Sequence, residues 1–352
     1  MPRLRRVDCS APGLARKRRG RGFVYLDADG ARVDLVATLQ RIKDLGIPPA
    51  WTDVWICMHP NGHLQAVGTD AAGRKQYLYH EAWRTRRDQE KFDKMIEFAS
   101  SLAKVRHVTD LDLALEGMPK ARVLACAVRL LDRGFFRIGG ETYAETNDTY
   151  GLATMKREHV RLEGAEVVFE YIAKSGKERV QSVVDPAVHE VVAALKRRRG
   201  GGEELLAYRE GRKWIDIKSM EINTYLKDVS GGNYSAKDFR TWHATVLAAQ
   251  ALAVSSNALT SATARKRAVA RAIQEVAHYL GNTPAVCRKS YVDPRVIDRF
   301  ESGWTIGPVI DQLGEDAFDE PLWHATIENA VLELIEEPRE SDLVERTSRK
   351  AS

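Results

Sequence analysis

Four side chains in the second half of the sequence have the chemistry needed to transfer a phosphoryl group. They are Arg137, Lys174, Arg240 and Tyr291. A tyrosine hydroxyl can attack phosphorus and hold the phosphate in a covalent bond. Arginine stays charged and its planar fork matches non-bridging phosphate oxygens, whereas a lysine whose pKa is lowered by neighbouring cations can protonate a leaving oxygen. Together these residue types could break and reseal a phosphodiester.

The spacing of these four side chains does not show that they converge. The chain has 54 lysine and arginine residues and 11 tyrosines. A basic residue taken at random is most often a solvated surface charge, and a tyrosine is most often half-buried and packed. From the residues alone, a purely structural role stays open for each of the four.

No pattern in the sequence is typical of a metal site or a nucleotide site. The four cysteines, Cys9, Cys57, Cys126 and Cys287, are scattered singly and form no C-x-x-C pair, whereas zinc sites need clustered ligands. A Walker-type glycine loop, which would cradle the phosphates of ATP, is also absent from the sequence. We therefore expect no cofactor, neither metal nor ATP.

The charge is unevenly distributed along the chain. The net charge is +5, but residues 311–352 hold 12 acidic and 4 basic side chains, which leaves +13 on the remainder. A body with that surplus attracts polyanions, because neutralising phosphates releases condensed counterions. The basic run Arg16–Arg21 is interpreted either as a solvated surface or as a disordered leader. The acidic segment could compete with a polyanion for the basic body, or could simply pack as a helix.

Hydrophobic patterning and turn residues predict an α+β protein with a β-rich N-terminal domain and a larger, mainly helical domain. The predicted boundaries are residues 1–85 for the β-rich domain, 86–310 for the helical domain and 311–352 for an acidic tail. Asp-Gly and Asn-Gly pairs are typical of tight hairpin turns. They predict hairpins of Phe23–Leu26 with Ala31–Leu35 and of Val54–Met58 with His63–Val67, followed by a strand over residues 74–79.

Helical periodicity dominates after about residue 81, apart from one β patch. Apolar residues three or four apart predict helix faces. These faces contain Phe92, Ile96, Ala99 and Ala103; Leu124, Val128 and Leu131, ending at Gly134; Val269, Ile273, Val276 and Leu280; and, in the tail, Ile327, Val331 and Leu334. A hairpin over residues 166–184 has Lys174 at its tip. A short helix from Pro284 is predicted to carry Tyr291 and to end before Pro294.

Several segments resemble the small poxvirus-like and bacterial branch of the type IB DNA topoisomerases. FFRIGGETYAETNDTYGLATMKREHV (residues 135–160) resembles the region of the first catalytic arginine. KDFRTWHAT (237–245) resembles the K-x-x-R segment, and LGNTPAVCRKSY (280–291) resembles the nucleophile segment. GRKQYLY (73–79) resembles a strand that touches DNA in the viral enzymes. The match spans the chain to about residue 305, and four segments in the same order are specific.

The resemblance implies a role for each of the four side chains. Tyr291 would attack phosphorus, giving a 3′-phosphotyrosyl link and a free 5′-hydroxyl. Arg137 and Arg240 would hold the non-bridging oxygens, and Lys174 would protonate the leaving 5′-oxygen. Supercoils would then relax by rotation of the cut duplex, without metal or ATP.

Two further positions near the reacting phosphate follow from the same resemblance. Lys237, the first residue of K-x-x-R, would contact the phosphate. Asn282 stands where the viral enzymes carry histidine, and its neutral amide can still donate a hydrogen bond to an oxyanion. His278, one helical turn earlier, is the competing candidate for this contact.

The resemblance also implies DNA contacts outside the chemistry. Gln76, Tyr77 and Tyr79 match the viral strand, with tyrosines packed on the sheet as the structural alternative. In a regular strand, Gln76 faces opposite to the two tyrosines. Tyr143 and Lys156 match by position only. The partner would be double-stranded DNA, held by a monomer of two lobes that closes around the duplex as a clamp.

Two other classes of protein compete with this interpretation. Tyrosine site-specific recombinases share the tyrosine recombinase-like catalytic core, but they commonly have H-x-x-R where this chain has Lys237-x-x-Arg240. The second class is a non-catalytic nucleoid protein. Its DNA binding would explain the positive charge of the body, but it would leave the order of the four candidate catalytic residues unexplained. The chain has no apolar run near the ~20 residues of a membrane span and no secretory signal. We therefore expect it in the cytoplasm, associated with the nucleoid and not with a membrane.

Overall fold

The computed structural model describes residues 3–174, 176–255, 261–314, 325–336 and 341–346, except the side chains of residues 142, 143 and 146. The chain divides into two compact units, residues 1–93 and 94–352. The first contains an antiparallel β-sheet, and the second is mainly helical. The α+β organisation expected from the sequence is confirmed at this level.

The first unit is built on a five-stranded antiparallel sheet with the strand order β2-β1-β3-β4-β5. Side chains alternate between the two faces of a strand, so one face can be apolar. That face buries Leu14, Val54, Ile56 and Ala66, and Ile42 from helix α1 packs against them. The elements are β1 (Leu14–Arg19), β2 (Gly22–Leu26), α1 (Val36–Asp44), β3 (Thr52–Ile56), β4 (Leu64–Thr69) and β5 (Lys75–Tyr79).

One of the two predicted hairpins is confirmed and the other forms only in part. β3 and β4 pair antiparallel across the Asn61-Gly62 turn, as predicted. Strand β2 forms its ladder with β1, and the predicted partner segment adds only an isolated antiparallel bridge from Arg32 to Leu26 and a hydrogen bond from the Val33 N–H to the Tyr25 carbonyl at 2.9 Å. Most of the basic run is therefore a strand and not a disordered leader, while Lys17, Arg18, Arg19 and Arg21 are exposed, as the solvated-surface alternative expects. Arg16 has a structural role in this strand, because its guanidinium donates to the carbonyls of three residues in the segment 47–51.

The second unit contains eleven helices and seven strands among the described residues. The helices are α2 (Glu81–Leu113, which begins in the first unit), α3 (Lys120–Gly134), α4 (Glu141–Asn147), α5 (Pro186–Arg197), α6 (Ser219–Ser230), α7 (Ala236–Val254), α8 (Ala262–Leu280), α9 (Pro284–Ser290), α10 (Pro294–Glu301), α11 (Gly307–Leu313) and α12 (Ala325–Glu336). The strands are β6 (Val160–Glu163), β7 (Glu166–Ala173), β8 (Lys177–Val184), β9 (Ala207–Glu210), β10 (Lys213–Asp216), β11 (Trp304–Thr305) and β12 (Glu345–Arg346). Strands β6, β7 and β8 form one sheet.

Helix α2 exists where it is predicted, and its buried face includes only part of the predicted one. Phe92 and Ala99 of the predicted face are buried, whereas Ile96 is half-buried and Ala103 is exposed. The rest of the buried face consists of Met95, Phe98, Leu102 and Val105. Both sets recur three or four residues apart, so periodicity alone permits either face. The larger side chains occupy the interior because they remove more apolar surface from water.

The acidic segment contains a helix that packs into the second unit. Ile327, Val331 and Leu334 of α12 are buried, as their spacing predicts. Glu328, on the same helix, is also buried, and it accepts hydrogen bonds from Arg106 and from the indole nitrogen of Trp242. The acidic segment is thus part of the folded core at α12.

Within the part of the chain that the structure describes, no helix combines the length and the apolar character needed to cross a membrane.

Candidate active site

Tyr291 lies at the junction of two short helices. Helix α9 ends at Ser290, and Tyr291 follows as its C-terminal cap with a backbone N–H donating to the Cys287 carbonyl at 2.9 Å. The prediction that a short helix carries Tyr291 is therefore wrong by one residue. Pro294 begins α10, because proline at the first helical position needs no N–H partner.

Thr245 of helix α7 fixes the backbone around Tyr291. Its hydroxyl donates to the Tyr291 carbonyl at 3.3 Å and accepts from the Asp293 N–H at 3.1 Å. Thr245 is fully buried. It ends the segment KDFRTWHAT, and its hydroxyl among apolar helix residues is the sequence feature that marks this role.

Arg240, on the first turns of α7, is buried beside Tyr291. Its two terminal nitrogens donate to the backbone carbonyls of Phe135 at 2.5 Å and Leu280 at 2.8 Å. The guanidinium carbon lies 5.3 Å from the centre of the Tyr291 ring. The buried Nε has no hydrogen-bond partner among the described residues. Burial, and secondarily the charge of Arg137, lowers the pKa of Arg240 to about 10.

Arg137 lies in the extended segment after α3, and two glycines pack this segment tightly. Its carbonyl accepts from the Leu152 N–H at 2.8 Å. A Cβ atom on Gly151 would lie 2.4 Å from the Gly139 nitrogen, so only glycine permits this approach. The glycines of the 135–160 segment thus hold Arg137 in position.

Asn282 contacts Arg137 directly. A terminal nitrogen of Arg137 donates to Oδ1 of Asn282. Because Oδ1 is the acceptor, Nδ2 is the free donor, and this buried atom has no hydrogen-bond partner among the residues that the structure describes. His278 is exposed, and its carbonyl accepts from Arg179. The geometry therefore favours Asn282 over His278 as the neighbour of Arg137.

Lys174 lies in the turn of the β7–β8 hairpin, as predicted. β7 and β8 pair from Glu166 with Val184 to Ala173 with Lys177. Lys174 is exposed at the tip. A cleft of about 330 Å³ brings it together with Arg137, Lys237, Arg240 and Tyr291.

The electrostatics of this cleft favour the phenolate of Tyr291. Burial raises the pKa of the phenol, but the charges of Arg240, Arg137 and Lys237 outweigh burial, so the pKa lies below its ordinary value. A phenol beside two guanidinium groups is suited to nucleophilic attack, and the same charges suit a phosphate.

The residues expected on the DNA-contacting strand lie on opposite faces of β5. Tyr77 and Tyr79 are 45% and 39% exposed, and their rings stack with centroids 6.2 Å apart. They are not packed in the core of the sheet. Gln76 faces the other way and donates to Asp70 at 2.9 Å.

The structure describes only one of the two residues, Lys156 and Tyr143, that match the viral enzymes by position alone. Lys156 forms an ion pair with Glu203 at 3.0 Å and lies 5.6 Å from the centre of the Tyr150 ring. Hydrogen bonding to Glu203 raises the pKa of Lys156. Tyr143 lies on α4, but its side chain is outside the described part of the structure.

Comparison with known proteins gives two family matches. Residues 80–304 match the catalytic core of eukaryotic DNA topoisomerase I. Residues 22–70 match the N-terminal domain of bacterial DNA topoisomerase IB. The first match covers more than half of the chain.

Individual relatives agree with the families. DNA topoisomerase 1B of Acanthamoeba polyphaga mimivirus is 29% identical over 297 residues, which cover 82% of this chain and 88% of the relative. DNA topoisomerase 1B of vaccinia virus (strain Copenhagen) is 21% identical over 264 residues, 73% of this chain and 77% of the relative. DNA topoisomerase 1 beta of Arabidopsis thaliana is 25% identical over 161 residues, 45% of this chain. The chain belongs to the type IB DNA topoisomerases and is an isomerase that acts on DNA.

Proposed function

We propose that Tyr291, Arg137, Arg240, Lys174 and Asn282 carry out the strand cleavage and religation of this type IB enzyme. The observation that carries the proposal is the cleft that Arg137, Lys174, Arg240 and Tyr291 line together. One nucleophile, two phosphate-binding cations and one proton donor are the groups that the reaction requires.

In the cleavage step the Tyr291 oxygen attacks phosphorus, and its proton passes to water. The bond from phosphorus to the 5′-oxygen breaks, and its electron pair remains on that oxygen. Lys174 donates a proton to the 5′-oxygen, so a free 5′-hydroxyl leaves. Religation is the reverse: the 5′-hydroxyl attacks the phosphotyrosine and returns its proton to Lys174.

Charge builds on the two non-bridging oxygens as phosphorus becomes five-coordinate. Arg137 and Arg240 neutralise this charge with groups that are already oriented, since Arg240 is fixed by two backbone carbonyls and Arg137 by Asn282. The free Nδ2 of Asn282 donates to one oxygen. Preorganised donors of this kind need little reorganisation during the reaction. Lys237, exposed at the rim of the cleft, contacts the phosphate.

The enzyme works as a monomer that closes around duplex DNA, and the cut duplex rotates to relax supercoils of either sign. A single chain supplies the complete candidate catalytic set, so the chemistry needs no second copy. The exposed Tyr77 and Tyr79, with Lys75 on the same face of β5, provide a surface suited to DNA bases and phosphates. Gln76 also contacts DNA, after its side-chain amide has released the hydrogen bond to Asp70. Tyr143 and Lys156 are weaker candidates for DNA contact.

Relaxation of a supercoiled plasmid in EDTA without ATP tests this proposal. The parent should relax the plasmid fully, because guanidinium groups provide the charge that a metal would otherwise supply. Tyr291→Phe should lose relaxation and the covalent adduct while keeping DNA affinity, since it removes a single hydroxyl. Tyr279→Phe, an exposed neighbour, is the matched control and should relax normally. Relaxation that needs added magnesium, or an adduct formed by Tyr291→Phe, would contradict the proposal.

A further inference from the structure

The hairpin that carries Lys174 is attached to α8 by an arginine that the proposed reaction does not use. Arg179 lies on β8, opposite Tyr171. Its guanidinium donates to the carbonyl of His278 at 3.1 Å and to the carbonyl of Tyr279 at 2.6 Å. Both carbonyls belong to the last turn of α8, where carbonyl groups lack the usual partner four residues ahead in the helix. The His278 carbonyl also accepts from the Gly281 N–H at 3.0 Å. Arg179 adds a second bond there and joins the hairpin to the helix end.

The backbone beyond α8 leaves room for this contact. Gly281 has φ +64, and a Cβ atom there would lie 3.2 Å from Nη1 of Arg179. A larger residue would therefore be strained and would press on the guanidinium. The next residue is Asn282, which contacts Arg137. Arg179 thus links the hairpin to the turn beside the reacting phosphate.

The link lies close to the hairpin tip. Alternation places Lys177, Arg179 and Gln181 on one face of β8, and this face lines a cleft together with Arg137 and Lys174. Lys174 is three residues beyond Tyr171, the partner of Arg179, a distance of about 10 Å along a strand. The Gln181 amide donates to the Gly134 carbonyl and forms a second link further from the tip.

We propose that Arg179 is a positioning residue for the leaving-group proton. By holding β8 against the end of α8, it keeps the ammonium of Lys174 within reach of the departing 5′-oxygen. Without Arg179 the hairpin keeps its ladder and its Gln181 link, but its tip has a wider range of positions. Proton transfer then slows because the donor is less often in reach. The inference rests on the proposed role of Lys174 as the acid.

The test is single-turnover cleavage of two DNA substrates, one with oxygen and one with sulfur at the bridging 5′ position. A thiolate leaves without needing a proton, so the sulfur substrate bypasses Lys174. Arg179→Ala should slow cleavage of the oxygen substrate by about tenfold to a hundredfold, less than the roughly hundredfold to ten-thousandfold effect of general acid catalysis, because Lys174 itself remains. It should cleave the sulfur substrate at nearly the parental rate. Arg179→Lys, which retains one donor, should recover part of the loss.

Controls separate this inference from the role of Lys174. Lys174→Ala must first show a defect confined to the oxygen substrate; an equal defect on both would overturn the acid role and the inference with it. If Lys174→Ala behaves as expected while Arg179→Ala slows both substrates equally, Arg179 binds DNA or supports folding, and the inference is wrong. Full activity of Arg179→Ala on both would also overturn it. Arg161→Ala removes an exposed arginine paired with Glu163 and Glu170, and it should change neither rate.

Discussion

Arg240 shows how burial and charge combine at a single residue. Burial and the nearby Arg137 lower its pKa to about 10, which still leaves more than nine in ten molecules protonated at neutral pH. Its terminal nitrogens are fixed by backbone carbonyls, so the cation is oriented before any substrate arrives. A lysine could not replace it, because a single ammonium lacks the planar fork that reaches two carbonyls and a phosphate.

Asn282 is expected to donate one hydrogen bond to the reacting phosphate. Asn282→Ala should slow cleavage by about a hundredfold, the usual loss for one oxyanion donor. Asn282→Asp should be slower still, because a carboxylate beside Arg137 repels the phosphate and competes for the guanidinium. Single-turnover cleavage rates measure both. His278→Ala is the control and should retain the parental rate. If His278→Ala cleaved slowly and Asn282→Ala cleaved at the parental rate, His278 and not Asn282 would be the phosphate contact.

Lys237 gives a prediction about pH. The pKa of Tyr291 is lowered because Arg240, Arg137 and Lys237 together outweigh burial. A phenol is deprotonated above its pKa, so removing one cation raises that pKa and reduces the phenolate present at a given pH. Lys237→Met should therefore move the rising limb of the cleavage rate to higher pH.

The profile is best measured on the substrate with sulfur at the bridging 5′ position, so that proton donation to the leaving group does not shape it. Lys289→Met, an exposed lysine two residues before Tyr291, is the matched control. A shift of the limb to lower pH, or a loss that is equal at every pH, would contradict this explanation of the lowered pKa.

Among the elements, α7 connects the candidate catalytic residues with the acidic segment. It carries Arg240 and Thr245 toward Tyr291, while its Trp242 donates to Glu328 of α12 at 2.9 Å. Arg106 of α2 bridges Glu328 and Asp132 of α3. Buried charges are stable when each is paired, so this network fixes four helices beneath the site.

Removing Glu328 should therefore destabilise the second unit. Glu328→Ala leaves Arg106 with one carboxylate and Trp242 without its acceptor, and the free energy of unfolding should fall by about 3 kcal/mol. Chemical denaturation measures this change. Glu336→Ala, an exposed acid on the same helix, should change stability by less than about 0.5 kcal/mol. Equal effects of the two substitutions would show that the network contributes little.

At the scale of the whole molecule, the separation of charge is the dominant feature. Residues 311–352 carry a net charge of −8 beside +13 on the rest of the chain, but α12 shows that part of this segment belongs to the core. Truncation before α12 would uncover buried apolar positions on α7, α10 and α11. A change in DNA affinity after this truncation would therefore reflect lost stability as well as lost charge.

A variant outside α12 separates the two effects. Changing Glu315, Asp316, Asp319 and Glu320 to the corresponding amides removes four negative charges. If these acids compete with DNA for the basic body, the variant should bind DNA more tightly at low salt. The difference should shrink as salt screens both contacts. Truncation before α12 should instead lower the melting temperature, because Ile327, Val331 and Leu334 are buried. If the amide variant bound DNA with unchanged affinity, the competition hypothesis would be wrong and the acidic segment would act through packing alone.

The sequence by itself determined the family, the order of the candidate catalytic residues and most of the elements. Residue type fixes what a side chain can do, and periodicity fixes helix or strand over a few turns. Tight-turn chemistry placed the Asn61-Gly62 and Lys174 hairpins, and the apolar spacing of Ile327, Val331 and Leu334 placed a packed helix in the acidic segment.

Only the tertiary structure decided which side chains meet. The contact between Arg137 and Asn282 joins residues 145 positions apart, and the bond from Arg179 to the His278 carbonyl joins residues 99 apart. No local pattern encodes such pairs. The same reason explains why two predictions hold only in part: the main partner of β2 and the full buried face of α2 depend on what packs against them. Periodicity is compatible with more than one strand pairing or buried helix face, and the arrangement that buries the larger apolar surface is the one that forms.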